Sequence, residues 1–346
     1  MDCGIRILRK NTILQETQRM NIDKVVSGMV ITGMPVLIVE KKVAVAKNGK
    51  SYADLTVRDS TGTLKCKVWN FTDEEWIKAG AVATVSGDTT SYQGEVQFTI
   101  ALLERNLTAK PSDFAKKSRF DVGDMYESIE GIVEGFTEPL TKYVAKALLE
   151  NYKDAVKVAP AATGVHNAWV GGLLEHVWSM CGMAGQIITN YKSNYGSKLS
   201  TDKVYFGLIF HDIGKIEEYD IYNPAFPKTA SGLLVNHLVL GPSMVWEIAN
   251  KWVEKEKSHS LRDYAEFSRE RDHLMHVLAA HHGTHEWGSC VQPVSLEAIL
   301  VHQIDLIDSR MMHALELTEG KEGQIAGFSE KSWTNRTPYL MYNKEV

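Results

Sequence analysis

Phe210-His211-Asp212-Ile213-Gly214-Lys215 follows an apolar run from Val204 to Ile209 and places an imidazole, a carboxylate and an ammonium within one helical turn. These side chains together are typical of a metal site. A His-Asp pair alone, however, is more often two side chains that hydrogen-bond at a buried helix end. A metal site therefore requires further ligands from elsewhere in the chain.

Further histidines and one more carboxylate lie in or beside apolar segments. They are His176, His237, His281, His282 and Asp305. An imidazole or carboxylate that is buried alone is costly unless it is paired or binds a metal, so these residues call for one common explanation. Neutral imidazoles around one or two carboxylates are the ligands that a divalent transition metal such as Mn, Fe, Co, Ni or Zn prefers.

The composition is that of a water-soluble protein with more than one domain. The chain has 346 residues, of which 44% are hydrophobic, and this is enough for two ordinary cores. No apolar run approaches the roughly 20 residues of a membrane span, and the first residues are polar rather than signal-like. Four scattered cysteines without a C-x-x-C pair indicate neither a zinc ribbon nor a disulfide framework. We expect a cytoplasmic protein without a membrane partner.

Charge is distributed unevenly along the chain. The net charge is -5, but residues 1–120 carry 18 Lys and Arg against 13 Asp and Glu, while residues 121–346 carry 20 against 30. A basic N-terminal part fits a module that holds a polyanion, and an acidic remainder fits one that concentrates divalent metal. An ordinary fluctuation of surface charge fits the same numbers.

Residues 21–107 are predicted to form a small all-β barrel of the OB-fold type. About five strands, separated by turn signals, and one short helix at Thr72–Lys78 before the fourth strand favour this fold. The predicted strands cover residues 25–31, 36–46, 52–58, 64–69, 81–86 and 95–102.

Strand alternation predicts an outer surface of cations and aromatics on this barrel. The residues on it are Tyr52, Arg58, Lys65, Lys67 and Trp69. OB-folds hold single strands by phosphate attraction and base stacking, so this surface is a candidate nucleic-acid interface. The alternative is that Trp69 packs beneath the 72–78 helix and that the lysines only solubilise the protein.

The remaining segments are an arm, a linker and a helical domain. Residues 1–20 are expected to be an N-terminal arm, residues 108–125 a polar linker, and residues 126–340 an all-α domain. The predicted helices cover residues 126–136, 140–152, 173–188, 204–211, 235–253, 272–280 and 296–317.

The order of the histidines and aspartates resembles the HD superfamily of metal-dependent phosphohydrolases. The strings Gly-Gly-Leu-Leu-Glu-His at 171–176, His-Asp-Ile-Gly-Lys at 211–215 and His-His-Gly-Thr-His-Glu-Trp-Gly-Ser at 281–289 narrow the resemblance. Together with an N-terminal OB-like module, they are similar to the YhaM-type 3′-5′ exoribonucleases, over roughly residues 21–320. The resemblance implies a multidomain protein in which an OB-fold barrel precedes an all-α HD-domain helical bundle.

Carried over by position, the family pattern implies two metal ions. His176, His211, Asp212 and Asp305 would bind the first, and Asp212 would bridge to a second held by His237 and by His281 or His282. Either His281 or His282 fits as the ligand. The other would then support the ligand from outside the metal's coordination or contact the substrate phosphate. Asp308 is expected to be a helix cap or a salt-bridge partner. Manganese is the expected ion, with cobalt, iron, nickel and zinc as alternatives.

Further residues have expected roles at this site. Asp212 would be catalytic as the bridging ligand. Lys215 would steady developing charge or the leaving group, or would extend to solvent. His166 would contact substrate phosphate or cap a helix, while Glu286 and Trp287 would border the substrate channel, with Trp287 as a base-stacking lid.

The resemblance implies a metal-dependent 3′-5′ exonuclease that hydrolyses single-stranded RNA, and by extension single-stranded DNA, to nucleoside monophosphates. It also implies a homo-oligomer. Two other functions stay open: an HD phosphodiesterase acting on small cyclic or linear oligonucleotides, and a non-catalytic nucleic-acid-binding factor.

Overall fold

The computed structural model describes residues 20–92, 95–162, 169–255, 261–318, 327–331 and 337–341. The predicted arm lies outside these residues except for Met20. The first body is a closed barrel with strand order β1-β2-β3-β5-β4, in which only β3 and β5 are parallel neighbours. This order confirms the predicted OB-fold. Its strands are β1 (Val30–Val45), β2 (Ser51–Arg58), β3 (Thr63–Trp69), β4 (Val82–Tyr92) and β5 (Glu95–Arg105).

Strand β1 is one continuous strand, where the sequence predicted two. Its first half pairs with β4 and its second half pairs with β2, so one long strand closes the barrel. The register shifts between Ile31 and Met34 and again between Ile38 and Glu40. Gly33, with φ of 67°, lies within the first shift, where the backbone takes a conformation that favours glycine.

The predicted helix at Thr72–Lys78 is wrong, since this segment consists of turns and irregular backbone. Phe71 and Ile77, at each end of the segment, are buried in the barrel core, and Trp76 packs against that core. A helix would place these side chains on different faces, so packing overrides the local helix signal. Gly80, with φ of 88°, ends the segment.

The second body is an all-α bundle, as predicted. Each predicted helical segment overlaps an observed helix, and one large apolar core joins them. No helix of the described residues is long and apolar enough to cross a membrane. The helices are α1 (Val122–Glu134), α2 (Pro139–Val158), α3 (Gly172–Tyr195), α4 (Thr201–Phe210), α5 (Lys215–Glu218), α6 (Ala230–Leu234), α7 (His237–Lys255), α8 (Leu261–Ala279) and α9 (Leu296–Thr318). Two antiparallel strands, β6 (Phe328–Lys331) and β7 (Pro338–Leu340), pack on α9.

An apolar cluster joins the barrel to the bundle. Leu37 and Val82 of the barrel pack with Phe114 and with Ala225 of the α5–α6 loop. Phe114 belongs to a short 3-10 turn, Pro111–Phe114, within the segment predicted as a polar linker, and its side chain is fully buried. The connecting segment therefore contributes to the packing between the two bodies.

Candidate functional site

The helices bring every predicted metal ligand to one region. His176 lies in α3, and Asp305 lies in α9. His211 and Asp212 follow α4, His237 begins α7, and His281 and His282 follow α8. Three groups of these residues have ligand atoms within 4.8 Å of one another: His176 with His211 and Asp305, His211 with Asp212 and His281, and His237 with His281 and His282.

The five histidines share one hydrogen-bonding arrangement. Each ring directs Nδ1 at an acceptor of the protein, which favours a proton on Nδ1 and leaves Nε2 as the nitrogen that can bind a metal. The acceptors are Asp308 at 2.7 Å for His176, the Leu208 carbonyl at 3.1 Å for His211, Glu218 for His237, the Leu278 carbonyl at 2.6 Å for His281 and the Trp287 carbonyl at 2.9 Å for His282. The Nε2 atoms are thus those that meet in the centre.

Asp212 is the carboxylate at the centre of these rings. Its Oδ1 lies 3.5 Å from Nε2 of both His237 and His281, and its Oδ2 lies 3.2 Å from Nε2 of His211. Two buried atoms here, Oδ1 of Asp212 and Nε2 of His211, have no hydrogen-bond partner among the described residues. Buried acceptors without donors are costly, and a cation between them removes that cost. The residues therefore fit a divalent metal.

Both carboxylates of the centre are held ionised. Burial raises the pKa of Asp212, but the charge of Lys215 outweighs that effect and holds the pKa well below its ordinary value. Burial also raises the pKa of Asp305, and the hydrogen bond from His176 outweighs that effect, so the net shift is downward. Anionic carboxylates are the form that binds a metal.

The histidines divide into two kinds. Burial lowers the pKa of His237, His281 and His282, which keeps these rings neutral and able to bind a metal. Burial lowers the pKa of His176 as well, but Asp305 and Asp308 raise it to about 9. Without a metal, His176 therefore holds a proton between two carboxylates, and a metal at Nε2 would displace that proton.

Glycines allow the close approaches around this centre. A Cβ on Gly214 would lie 2.6 Å from the carbonyl oxygen of His237, so glycine lets the turn after Asp212 touch the start of α7. Gly283, with φ of 82°, directly follows the histidine pair, and a Cβ there would lie 2.3 Å from the ring of His302. The His-His-Gly and His-Asp-Ile-Gly strings thus contain both ligands and the glycines that bring them together.

Lys215 is mostly buried beside Asp212, with its side chain 14% exposed, and does not extend to solvent. Its Nζ donates to Oδ2 of Asp212 and to the Ala161 carbonyl, each at 2.5 Å. His166 lies outside the described residues. Glu286 and Trp287 are exposed on the turn after His282, where Trp287 is 51% exposed.

Two carboxylates behind the ligands were given no site role from sequence. Asp308, expected to be a cap or a salt-bridge partner, is the partner of His176 and also accepts from Ser179 Oγ at 2.5 Å. Glu218, not considered from sequence, is 1% exposed and contacts His237. No sequence signal distinguishes Glu218 from its neighbour Glu217, which has the same side chain and is exposed.

Most of the predicted outer surface of the barrel is present as one patch, which we name the Tyr52–Trp69 patch and define as Tyr52, Lys65, Lys67 and Trp69. Tyr52 and Trp69 face each other across β2 and β3 with ring centroids 5.4 Å apart. Nζ of Lys67 lies 4.2 Å from the Tyr52 ring and 2.5 Å from Asp54. Trp69 is 51% exposed and does not pack beneath a helix.

Arg58 is the exception on this surface. It points to the outer face as predicted, but it is only 5% exposed. Its partner across the strands is Leu37, which packs in the cluster with Phe114 where the barrel meets the bundle. Arg58 is therefore covered and does not belong to the exposed patch.

The barrel and the helical bundle each match a known protein family. Residues 36–104 match the family described as OB-fold nucleic acid binding domain, and residues 173–310 match the family described as HD domain. The 3′-5′ exoribonuclease YhaM of Halalkalibacterium halodurans is 33% identical over 309 residues, which is 86% of this chain and 88% of that protein. The protein of the same name from Bacillus pumilus is 31% identical over 281 residues, which is 80% of this chain and 83% of that protein.

The barrel and the helical centre thus define a protein that combines an OB-fold with an HD phosphohydrolase domain. Within that class, the chain belongs to the family of YhaM 3′-5′ exoribonucleases. This confirms the resemblance drawn from the motifs and the prediction that the chain is a hydrolase.

The metal centre predicts a metal-dependent gain in stability. With Mn²⁺ at 100 times its dissociation constant, each occupied site should add about 2.7 kcal/mol to the free energy of unfolding. Asp212→Ala should remove most of this gain, while Asp154→Ala, which removes an exposed carboxylate on α2, should leave it unchanged. Thermal unfolding with Mn²⁺ and with chelator measures the difference. Equal stabilisation of Asp212→Ala and the unmodified protein would contradict the assignment.

Proposed function

We propose that the chain is a metal-dependent 3′-5′ exonuclease that hydrolyses single-stranded RNA to nucleoside monophosphates, with single-stranded DNA as a second substrate to be tested. The observation that supports it most is the convergence of five imidazole Nε2 atoms and two carboxylates in a buried centre. The substrate and the polarity come from the names of the relatives. A cytoplasmic location and self-association stay predictions.

The donor set divides into two groups that share Asp212. His176, His211 and Asp305 would hold one ion with Asp212. His237, His281 and His282 would hold the second, and the near approach of all three rings supports both members of the histidine pair as ligands. Two divalent ions held by these residues would supply a nucleophilic hydroxide near neutral pH and would neutralise charge on phosphate oxygens. Manganese is the first ion to test.

Lys215 would have two roles: it would hold Asp212 in place, and it would stabilise negative charge on the substrate. Its contact with Asp212 fixes the carboxylate that both groups share. An ammonium has three donors, and Asp212 and the Ala161 carbonyl accept two of them. The third donor can stabilise the charge that develops on phosphate or on the leaving oxygen. The roles proposed for His166 in phosphate contact and for Glu286 and Trp287 at the channel stay predictions.

The Tyr52–Trp69 patch would retain the strand while its 3′ end is cut. Aromatic rings stack on bases of any sequence, and lysines attract phosphates. A small cyclic or linear oligonucleotide does not need such a strand-binding surface, so the patch favours a polymer. A strand held on the barrel would have a raised effective concentration at the active site of the same chain.

Asp212→Ala should abolish cleavage and leave RNA binding intact, because it removes the shared ligand but nothing from the barrel. The assay uses 5′-labelled single-stranded RNA with Mn²⁺ or with chelator, and Asp154→Ala as control. We expect a metal-dependent ladder that shortens from the 3′ end in the unmodified protein and in the control. Intact RNA that is nevertheless bound would favour small oligonucleotides or a binding role.

Replacing Lys65, Lys67 and Trp69 together with alanine should weaken binding to long RNA. Loss of one stacked base costs about 1–3 kcal/mol, and each lysine that contacts a phosphate contributes about 0.7 to the slope of log affinity against log salt. Affinity measured across a salt series tests both effects. The control replaces Lys146, Lys153 and Tyr195, which are exposed on the helical domain. Equal affinities for the two triple variants would mean that RNA binds another face.

A further inference from the structure

Glu218 is a buried carboxylate at the end of α5 that contacts the metal centre from behind. It is 1% exposed, and one of its oxygens accepts from both Nδ1 and the backbone N–H of His237, the latter at 3.0 Å. Its other oxygen lies 2.5 Å from Nζ of Lys228. Both oxygens of the carboxylate are therefore engaged, one by the start of α7 and one by a cation.

The backbone holds Glu218 in place as well. Its carbonyl accepts from the Thr229 N–H at 2.9 Å. A Cβ on Gly232 would lie 2.2 Å from the same carbonyl oxygen, so only glycine allows α6 to approach so closely. The side chain thus projects toward His237 from a fixed backbone position.

Glu218 has a counterpart on the other side of the centre. Asp308 contacts Nδ1 of His176 in the same way that Glu218 contacts Nδ1 of His237. The other three rings have backbone carbonyls behind them. Each group of ligands therefore contains one histidine backed by a carboxylate, and such a partner both orients the ring and raises its basicity.

We propose that Glu218 is a positioning residue for the second metal ion. It holds His237 in the tautomer whose Nε2 faces Asp212 and His282, 3.5 Å and 3.4 Å away. Lys228, in turn, holds the carboxylate of Glu218 in place. The inference rests on the two-ion arrangement proposed above and adds the residue that supports one of its two sites.

The test measures Mn²⁺ binding to the metal-free full chain by equilibrium dialysis, in the absence of RNA. Glu218→Gln should weaken one of two sites about 10- to 100-fold and leave the other unchanged. Glu217→Gln, which changes the exposed neighbour in the same way, should bind as the unmodified protein does. Asp308→Asn should weaken the opposite site. Unchanged binding by Glu218→Gln would overturn the inference.

A double variant separates a positioning role from a general loss of structure. If Glu218 acts through His237, then His237→Gln with Glu218→Gln should bind Mn²⁺ no more weakly than His237→Gln alone. A further loss in the double variant would overturn the inference. The measurement is independent of exonuclease activity, so two bound ions without RNA cleavage would refute the proposed function and leave the role of Glu218 standing.

A second measurement uses the unmodified protein, so its result does not depend on whether a variant folds. It determines which nitrogen of His237 binds the metal. In spectra of ¹⁵N-labelled histidine with Zn²⁺ as a diamagnetic probe, His237 should carry its proton on Nδ1 and bind metal through Nε2. Metal on Nδ1 of His237, or no metal on this ring, would overturn the inference.

Discussion

The meeting of imidazole nitrogens around the buried carboxylate of Asp212 is the constraint on which the helical domain depends. The candidate metal ligands come from α3, the end of α4, the start of α7, the end of α8 and α9. Those helices must therefore converge at one point. The apolar core packs them there. At the same point, the buried acceptors of His211 and Asp212 oppose folding unless a cation joins them. Metal binding and the packing of the bundle therefore support each other.

Partners behind the ligands complete this centre. Every ring has its Nδ1 held, and the two carboxylates that do so, Asp308 and Glu218, are both almost fully buried. Glu218 is also linked through Lys228 to the loop that carries Ala225 to the barrel. The contact between the bodies and the support of His237 thus share one loop, between α5 and α6.

The fold could be predicted from the sequence, and the candidate ligands could be named, because both depend on signals that are local or ordered along the chain. The number of strands and the turn signals between them predicted the barrel. The histidines and aspartates in apolar segments predicted a metal site, and the family resemblance supplied its ligand set. Strand alternation did not identify which residues other parts of the chain cover, and so Arg58 was predicted on the exposed surface but is buried. The same limit applies to Thr72–Lys78, where burial of Phe71 and Ile77 replaces a helix with turns. Glu218 differs from Glu217 only in burial, which no local pattern shows.

Anomalous diffraction at the manganese edge, from crystals grown with Mn²⁺, tests the central claim most directly. The account predicts two peaks about 3.5–4 Å apart, with Asp212 between them, His176 and Asp305 on one ion and His237 on the other. A single peak, or two peaks that do not share Asp212, would contradict the two-ion centre.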